Sequence, residues 1–304
     1  MLDRYVAQVR LLLSALPDIA GETAFALKGG TAINLFYRDM PRLSVDVDLT
    51  YLPVADRRSS LEEIDSALDR IAAAVTARNP RLRARRIAGG GDIGTRIMVS
   101  DGRAQIKIET SPVTRGAVHP ARPMAVCERV TEQFGFAQAN VLAFEDLYGG
   151  KLHAVLDRQH PRDFFDVKLL YDNEGLTDDL FRTFMVYVAS SNRPMHELLA
   201  PAAAPGEDLY YEEFVGMTRE AVSREALGDA RRRLHADIGS RLKGDIAAFL
   251  LSLHDAEPDF GLIGLPEAAN LPAVRWKLVN LEKLKRENPD KHAVERDALE
   301  GLFW

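Results

Sequence analysis

The sequence predicts an α+β fold: a mixed sheet flanked by helices over residues 1–173, then an all-helical region over residues 174–304. Three observations predict it. Residues 42–49 alternate apolar and polar side chains as a half-buried strand does, and three further strand-like runs lie between residues 82 and 110. Helical periodicity occupies residues 59–79 and returns after residue 144. From Thr177 onward helical spacing dominates.

With 304 residues and 46% apolar content, the chain can fill two cores. A net charge of −6 excludes a generically basic nucleic-acid coat, so any polyanion has to meet a local basic patch. The single cysteine, Cys127, excludes an intramolecular disulfide framework and fits a reducing compartment. Near the start, Leu11 to Leu13 form a short apolar run among Asp3, Arg4 and Arg10. Tyr5, Val9, Leu12, Leu13 and Leu16 fall at helical spacing, which predicts an amphipathic helix in place of a signal peptide. A soluble, cytoplasmic protein without a membrane partner is expected.

Residues 24–27 read as a short buried strand running into Gly29-Gly30, and residues 31–37 as a helix. Pro41 ends the turn before the acidic strand. In residues 59–79, Leu61, Ile64, Leu68, Ile71 and Val75 recur at threes and fours, with Ser59 or Ser60 as N-cap and Pro80 as the stop. Residues 82–87, 95–100 and 104–110 read as strands, the last two joined by a tight turn at Asp101-Gly102. Residues 126–136 read as extended and lead to a helix over 144–156, after which Pro161 begins another. The run Gly89-Gly90-Gly91-Asp92-Ile93-Gly94 spells the dinucleotide fingerprint, but the fingerprint needs a helix behind it. Residues 95–100 alternate like a strand instead, so the run reads as a hairpin loop. Residues 201–206 read as a loop, 218–253 as two helices, and 271–302 as two more parted by Asn288-Pro289.

Chemistry concentrates in residues 27–49. Leu43, Val45, Val47 and Leu49 share one face of the alternating run, while Arg42, Ser44, Asp46 and Asp48 share the other. Two carboxylates so placed repel by roughly 4 kcal/mol at an effective dielectric of ~20. A hard divalent cation with oxygen ligands compensates such a pair. Upstream, Gly29-Gly30 suggests a strand, a glycine turn and a helix N-terminus whose N–H groups cradle phosphate, with Thr31 adding a hydroxyl. Downstream, Glu109 shares a strand face with Gln105 and Lys107 and supplies the third carboxylate of a two-metal site. Taken alone, Asp46 and Asp48 read as surface acids paired with Arg42 and Lys107. The glycine turn and Glu109 together tip the reading to metal-dependent nucleotide chemistry.

A further run covers residues 145–168. Leu147, Leu152, Val155 and Leu156 make an apolar helix face, Lys151 and Arg158 share another side, and Asp163 and Asp166 stand at i, i+3. Spacing leaves two readings open: contacts to a triphosphate, or a solvated face with helix-capping charge. His153 and His160 have no metal-ligand spacing, and Phe164, Phe165, Phe181 and Phe184 read as core.

Four separated motifs, in order, carry a resemblance: Leu27-Lys28-Gly29-Gly30-Thr31, Arg42 through Leu49, Lys107-Ile108-Glu109-Thr110, and Leu147 through Arg158 with Arg162 through Val167. They resemble the AbiEii/AbiGii nucleotidyltransferase toxins of the DNA polymerase β-like superfamily, to which the MenT toxins are related. Residues 275–284 resemble the tail of some members more weakly. The resemblance implies a polymerase β-like nucleotidyltransferase domain that uses an NTP and Mg²⁺. It implies the toxin of a type IV toxin–antitoxin pair, linked to phage abortive infection and countered by an AbiEi-like antitoxin from an adjacent gene. MenT relatives add nucleotides to the tRNA acceptor end, which makes tRNA the expected acceptor. By position, Gly29 and Gly30 match the glycine/serine motif, Asp46 and Asp48 the metal pair, and Glu109 the acidic strand. Lys151 matches the essential lysine and Asp166 the late aspartate, with Arg158 as further help on the triphosphate. Gly-Gly-Thr departs from the Gly-Ser of many relatives, which leaves the hydroxyl contact to Thr31. Expected phosphate contacts for an RNA are Arg81, Arg83, Arg85 and Arg86, Arg231 to Arg233, and the helix face from Lys277 to Arg286. Competing readings are an acceptor that is a protein or small molecule, and a catalytically silent nucleotide-binding regulator.

Overall fold

Seven strands in the order β3-β4-β5-β2-β1-β7-β6 form the sheet of the computed structural model, which describes residues 3–87, 95–201 and 208–303. The glycine-rich run 89–94 and residues 202–206 of the expected loop lie outside those residues. The chain divides into two compact units, residues 1–143 with 215–221, and residues 144–214 with 222–304.

In the first unit the strands are β1 (Phe25–Lys28), β2 (Val47–Tyr51), β3 (Arg83–Ile87), β4 (Arg96–Ser100), β5 (Gln105–Thr110), β6 (Arg122–Ala125) and β7 (Gln138–Val141). The sheet is mixed: β2 with β5 and β1 with β7 are parallel, and the other neighbours are antiparallel. Alternation decides which face is covered. Ile97, Val99, Ile106, Ile108, Val47 and Leu49 are buried, and α1 (Asp3–Ala20) and α3 (Arg57–Arg78) pack on the sheet. The opposite face carries the polar side chains of β1, β2, β4 and β5.

The expected strands at 82–87, 95–100 and 104–110 are present, as is the turn at Gly102, whose φ of +86° suits glycine. α3 begins two residues earlier than expected, because Asp56 caps it by accepting the Ser59 N–H at 3.0 Å. Residues 126–136 are not an extended segment. There α4 (Glu128–Phe134) forms behind Cys127, between β6 and β7. Val130 is its single buried residue, too little apolar content to show a helical period.

The acidic stretch also differs from its expected form, since β2 starts only at Val47. β1 can pair no further than Lys28↔Asp48, because Gly29 (φ +73°) turns the chain into α2 (Gly29–Ala32), continued as a π-turn over Ile33–Tyr37. The backbone of residues 41–46 finds other partners. Leu43 N–H donates to the Met217 carbonyl, Arg219 N–H to that of Pro41, and Arg42 forms an isolated bridge with Thr218. The segment 215–221 thus straps the chain just ahead of the acidic pair.

The second unit is helical, from α5 (Phe144–Arg158) and α6 (Pro161–Asn173) through α7 (Asp178–Ala189), α8 (Met195–Leu199), α9 (Asp208–Glu213), α10 (Arg224–Arg241), α11 (Asp245–His254) and α12 (Pro272–Glu287) to α13 (Pro289–Glu300). Asn288 caps α13 by accepting the Lys291 N–H, at the Asn-Pro signal that marked this helix start. α5 lies closely on α7, and two glycines allow it. A Cβ on Gly149 would stand 3.0 Å from the Tyr187 ring, and one on Gly150 3.3 Å from it. Among the described residues no helix is long and apolar enough to cross a membrane.

Candidate active site

One cross-strand row holds the charged centre of the first unit. Lys28 on β1 pairs in register with Asp48 on β2, Asp48 with Glu109 on β5, and Glu109 with Arg96 on β4. In-register neighbours share a face, so four charged side chains stand side by side on the face opposite α1 and α3. Strand alternation adds Lys107 one step along β5. Sequence reasoning anticipated Asp48 and Glu109 but gave no role to Lys28 or Arg96. A lysine directly before the two glycines was the available signal for Lys28.

The glycines are explained by close approach. A Cβ on Gly29 would lie 2.6 Å from Asp48 Oδ2, and one on Gly30 2.6 Å from Arg42 Nη2 and 3.0 Å from Ser44 Oγ. Thr31 is buried; its hydroxyl, expected to face phosphate, donates to the Asp46 carbonyl at 2.5 Å and accepts from the Ser44 hydroxyl at 3.1 Å. Thr31 therefore fixes the acidic segment against α2. Arg42 is buried as well and donates to the Leu43 carbonyl at 2.9 Å, so its charge is directed inward at the backbone.

The three carboxylates are in unequal states. Asp46 is exposed, and among the described residues no side chain hydrogen-bonds or ion-pairs with its carboxylate. Asp48 is half-buried; burial pushes its carboxyl above the ordinary value, Asp46 and Glu109 push the same way, and Lys28 and Lys107 oppose them. Burial also lowers the Lys28 ammonium, against the attraction of Asp48 and Glu109. Glu109 moves the other way. Burial alone would raise it, but Lys107 at 2.7 Å and Arg96 at 2.7 Å hold it below the usual carboxylate range.

These donors can be tested for fit to a divalent cation. Asp46 and Asp48 offer hard oxygen ligands whose charge is incompletely balanced, which suits Mg²⁺. Glu109 already has a cation on each oxygen. Among the described residues no group of three or more His, Cys, Asp or Glu side chains is gathered at metal-holding spacing. The fit is therefore to the aspartate pair, with Glu109 beside it in register.

In the second unit Lys151, Asp163, Asp166 and Arg158 come together. The Lys151 ammonium sits 2.8 Å from Asp163 Oδ1 and 2.8 Å from Asp166 Oδ2, with all three side chains buried. Arg158 donates from Nε to Asp163 Oδ2 at 2.6 Å and from Nη2 to Oδ1 at 3.0 Å, a bidentate grip. Burial would raise the Asp163 carboxyl, but Lys151 and Arg158 hold it far below its usual value. Of the two readings left open by spacing, the Lys151 and Arg158 side chains are seen pairing with α6 carboxylates. Nearby, the buried Asp146 accepts from the Tyr187 hydroxyl at 3.0 Å.

A family profile described as the nucleotidyl transferase AbiEii toxin of type IV toxin–antitoxin systems matches residues 10–280. The chain belongs to this family. It is accordingly an NTP-dependent nucleotidyltransferase, and the expected α+β architecture is the one observed. Among solved structures it is similar to MenT4, a nucleotidyltransferase toxin from Mycobacterium tuberculosis H37Rv, at a TM-score of 0.62 and 17% identity. That superposition covers 91% of this chain and 93% of MenT4, a likeness of fold along nearly the whole length. A search of curated protein sequences gives no match. The AbiEii profile spans both the charged row of the first unit and the lysine–aspartate cluster of the second.

Proposed function

We propose that this AbiEii-family chain moves an NMP from an NTP to the 3′ end of a tRNA, as a cytoplasmic toxin countered by an AbiEi-like antitoxin. The observation that carries the reading is the row Lys28–Asp48–Glu109–Arg96 set against the Gly29 turn, with Asp46 and Asp48 incompletely neutralised. Asp46 and Asp48 would hold Mg²⁺, and Glu109 would join them on exchanging its contact with Lys107. Bound there, the ion supplies charge neutralisation at the triphosphate and lowers the pKa of an acceptor hydroxyl.

The remaining work falls to the chain's own groups. Gly29 and Gly30 let Asp48 and Arg42 close on the turn where a Cβ would stand in the way. Thr31 orients Asp46 through its carbonyl. Lys28, Lys107 and Arg96 bias the charge around Asp48 and Glu109, and fixed charges of this kind supply much of the rate in phosphoryl transfer. The acceptor hydroxyl attacks the α-phosphorus in line and gives up its proton to solvent water, the bond from that phosphorus to the oxygen bridging the β-phosphate breaks, and pyrophosphate leaves. Lys151, Arg158 and Asp166 are assigned to the same activity on the family's motif order. The nucleotidyltransferase domain in this functional sense runs to residue 173, and residues 174–304 form a helical C-terminal domain.

The test is incubation with Mg²⁺, each labelled NTP in turn, total tRNA and lysate. Label on tRNA that disappears with Asp48→Ala is the expected result. Label on a protein or small molecule changes the acceptor, and no label with any NTP refutes the transferase.

A further inference from the structure

A cavity of about 510 Å³ opens on the polar face of the sheet at its β3 edge, lined by Arg81, Arg83, Arg85, Met98, Gln105 and the turn at Asp101. Its arginines follow from strand periodicity. Arg83 and Arg85 alternate with Ala84 and Arg86, so their side chains leave by one face and that of Arg86 by the other. The two faces are treated differently. Arg86 pairs with Asp65 at 2.6 Å and Asp69 at 2.5 Å on α3. Among the described residues, no carboxylate pairs with Arg81, Arg83 or Arg85. The one acid in the lining, Asp101, is turned inward: its Oδ1 accepts the N–H groups of Arg103 and Ala104 at 2.8 and 2.7 Å.

Three guanidinium groups with no carboxylate partner among the described residues repel each other around one cavity, in a chain whose net charge is −6. An anionic ligand relieves that repulsion. Register relates the cavity to the charged row. Arg85 pairs with Met98 and Met98 with Lys107, while two residues further along Ile87 pairs with Arg96 and Arg96 with Glu109. Arg85 thus stands one step from the row that holds Asp48, and Arg83, paired with Ser100, stands two. Arg83 and Arg85 are spaced by two strand residues, roughly 6.6–6.8 Å, and Arg81 lines the same cavity from the turn just before β3.

A linear series of cations at such a step matches a repeating anion better than a compact one. We infer that this cavity binds the sugar–phosphate backbone of a single-stranded nucleic-acid acceptor, with Arg81, Arg83 and Arg85 on successive phosphates. Met98 offers an apolar surface among them. The strand would follow the β3 edge on the sheet face that carries Asp48, three strands across the sheet. The inference rests on the nucleotidyl-transfer reading for its acceptor, and adds a second anion site separate from the triphosphate.

The experiment uses the full chain and its R83Q/R85Q variant, both sites being exposed; thermal melts verify folding. Binding of a short fluorescein-labelled single-stranded RNA is followed by anisotropy over a salt series, and binding of each NTP by calorimetry. R83Q/R85Q should weaken RNA binding by about tenfold or more at low salt and reduce the log–log salt slope by about 1.4, two contacts at ~0.7 each. NTP affinity should stay as in the wild type. D48N should lose transfer and keep RNA binding. Unchanged RNA affinity in R83Q/R85Q overturns the proposal. NTP affinity falling in step with it assigns the cavity to the triphosphate and also overturns it. A wild type that labels a protein or small molecule and binds no RNA overturns the groove while the transferase stands. A wild type that labels nothing refutes the transferase, and the RNA titration still judges the groove.

Discussion

Two clusters of acids and bases occupy the two units, and they are built to opposite rules. In the second unit Lys151 and Arg158 meet Asp163 and Asp166 at 2.6–2.8 Å, with all but Arg158 buried, so charge is cancelled where it lies. In the first unit Asp46 is exposed and Asp48 is pushed toward its neutral form by burial and by its acidic neighbours. The charges sum to zero there too, Lys28, Lys107 and Arg96 against Asp46, Asp48 and Glu109, but among the described residues Asp46 and Asp48 make no direct ion pair. A cluster whose members all pair holds a fold, whereas one with unpaired carboxylates has ligand oxygens to offer a cation. Glu109, with Lys107 and Arg96 on its two oxygens, stands between the two rules.

The sharpest way to break this contrast is D48N. It should reduce label transfer by at least about 10²–10³-fold while leaving the denaturation midpoint equal or higher, since a desolvated carboxylate is removed. A marked loss of stability would place Asp48 under the same rule as Asp163. K151M should lose stability as well as transfer. It strands two buried carboxylates and should cost about 3–5 kcal/mol in urea denaturation. A loss below about 1 kcal/mol would show that the second cluster is not self-balanced.

The pH dependences should have opposite signs. Asp163 has a folded pKa below its unfolded one, so its contribution is complete above the unfolded value of roughly 3.9 and is lost as pH falls toward the folded pKa. Asp48 has a raised folded pKa, so in EDTA its contribution is present at low pH and lost as pH climbs from roughly 3.9 through the folded value. Wild-type stability minus that of D163N should grow as pH rises toward roughly 3.9, and wild type minus D48N should shrink as pH rises above it. Parallel slopes would erase the distinction. A smaller loss of stability than that of K151M should come from G29A. Positive φ costs about 1–2 kcal/mol for a residue with a Cβ, and that Cβ would displace Asp48 Oδ2, so activity should fall further than stability.

Much of this was legible in the letters. β4 and β5 announce themselves because alternation is read directly from Ile97, Val99, Ile106 and Ile108. The glycine pair marked the turn from β1 into α2, whereas the groups that close on it, Asp48 and Arg42, come from elsewhere in the chain. What stayed hidden depends on distant partners. Residues 43–46 alternate like a strand, yet their backbone bonds go to Thr31 and to residues 217–219, which no local pattern reveals. The pairing of Arg158 with Asp163 required knowing how α5 meets α6. Only the register of β3, β4, β5 and β2 shows that Arg83 and Arg85 lie on the same face as Asp48.

The strap at residues 215–221 carries a consequence for how the protein is made. Because those residues supply backbone partners to Pro41, Arg42 and Leu43, the first unit is unfinished when residue 143 leaves the ribosome. The nascent chain has to extend past position 221 before the loop ahead of Asp46 can lock. A fragment cut at 143 should leave that loop unanchored, so the enzyme matures only after a large part of its own second unit has been synthesised.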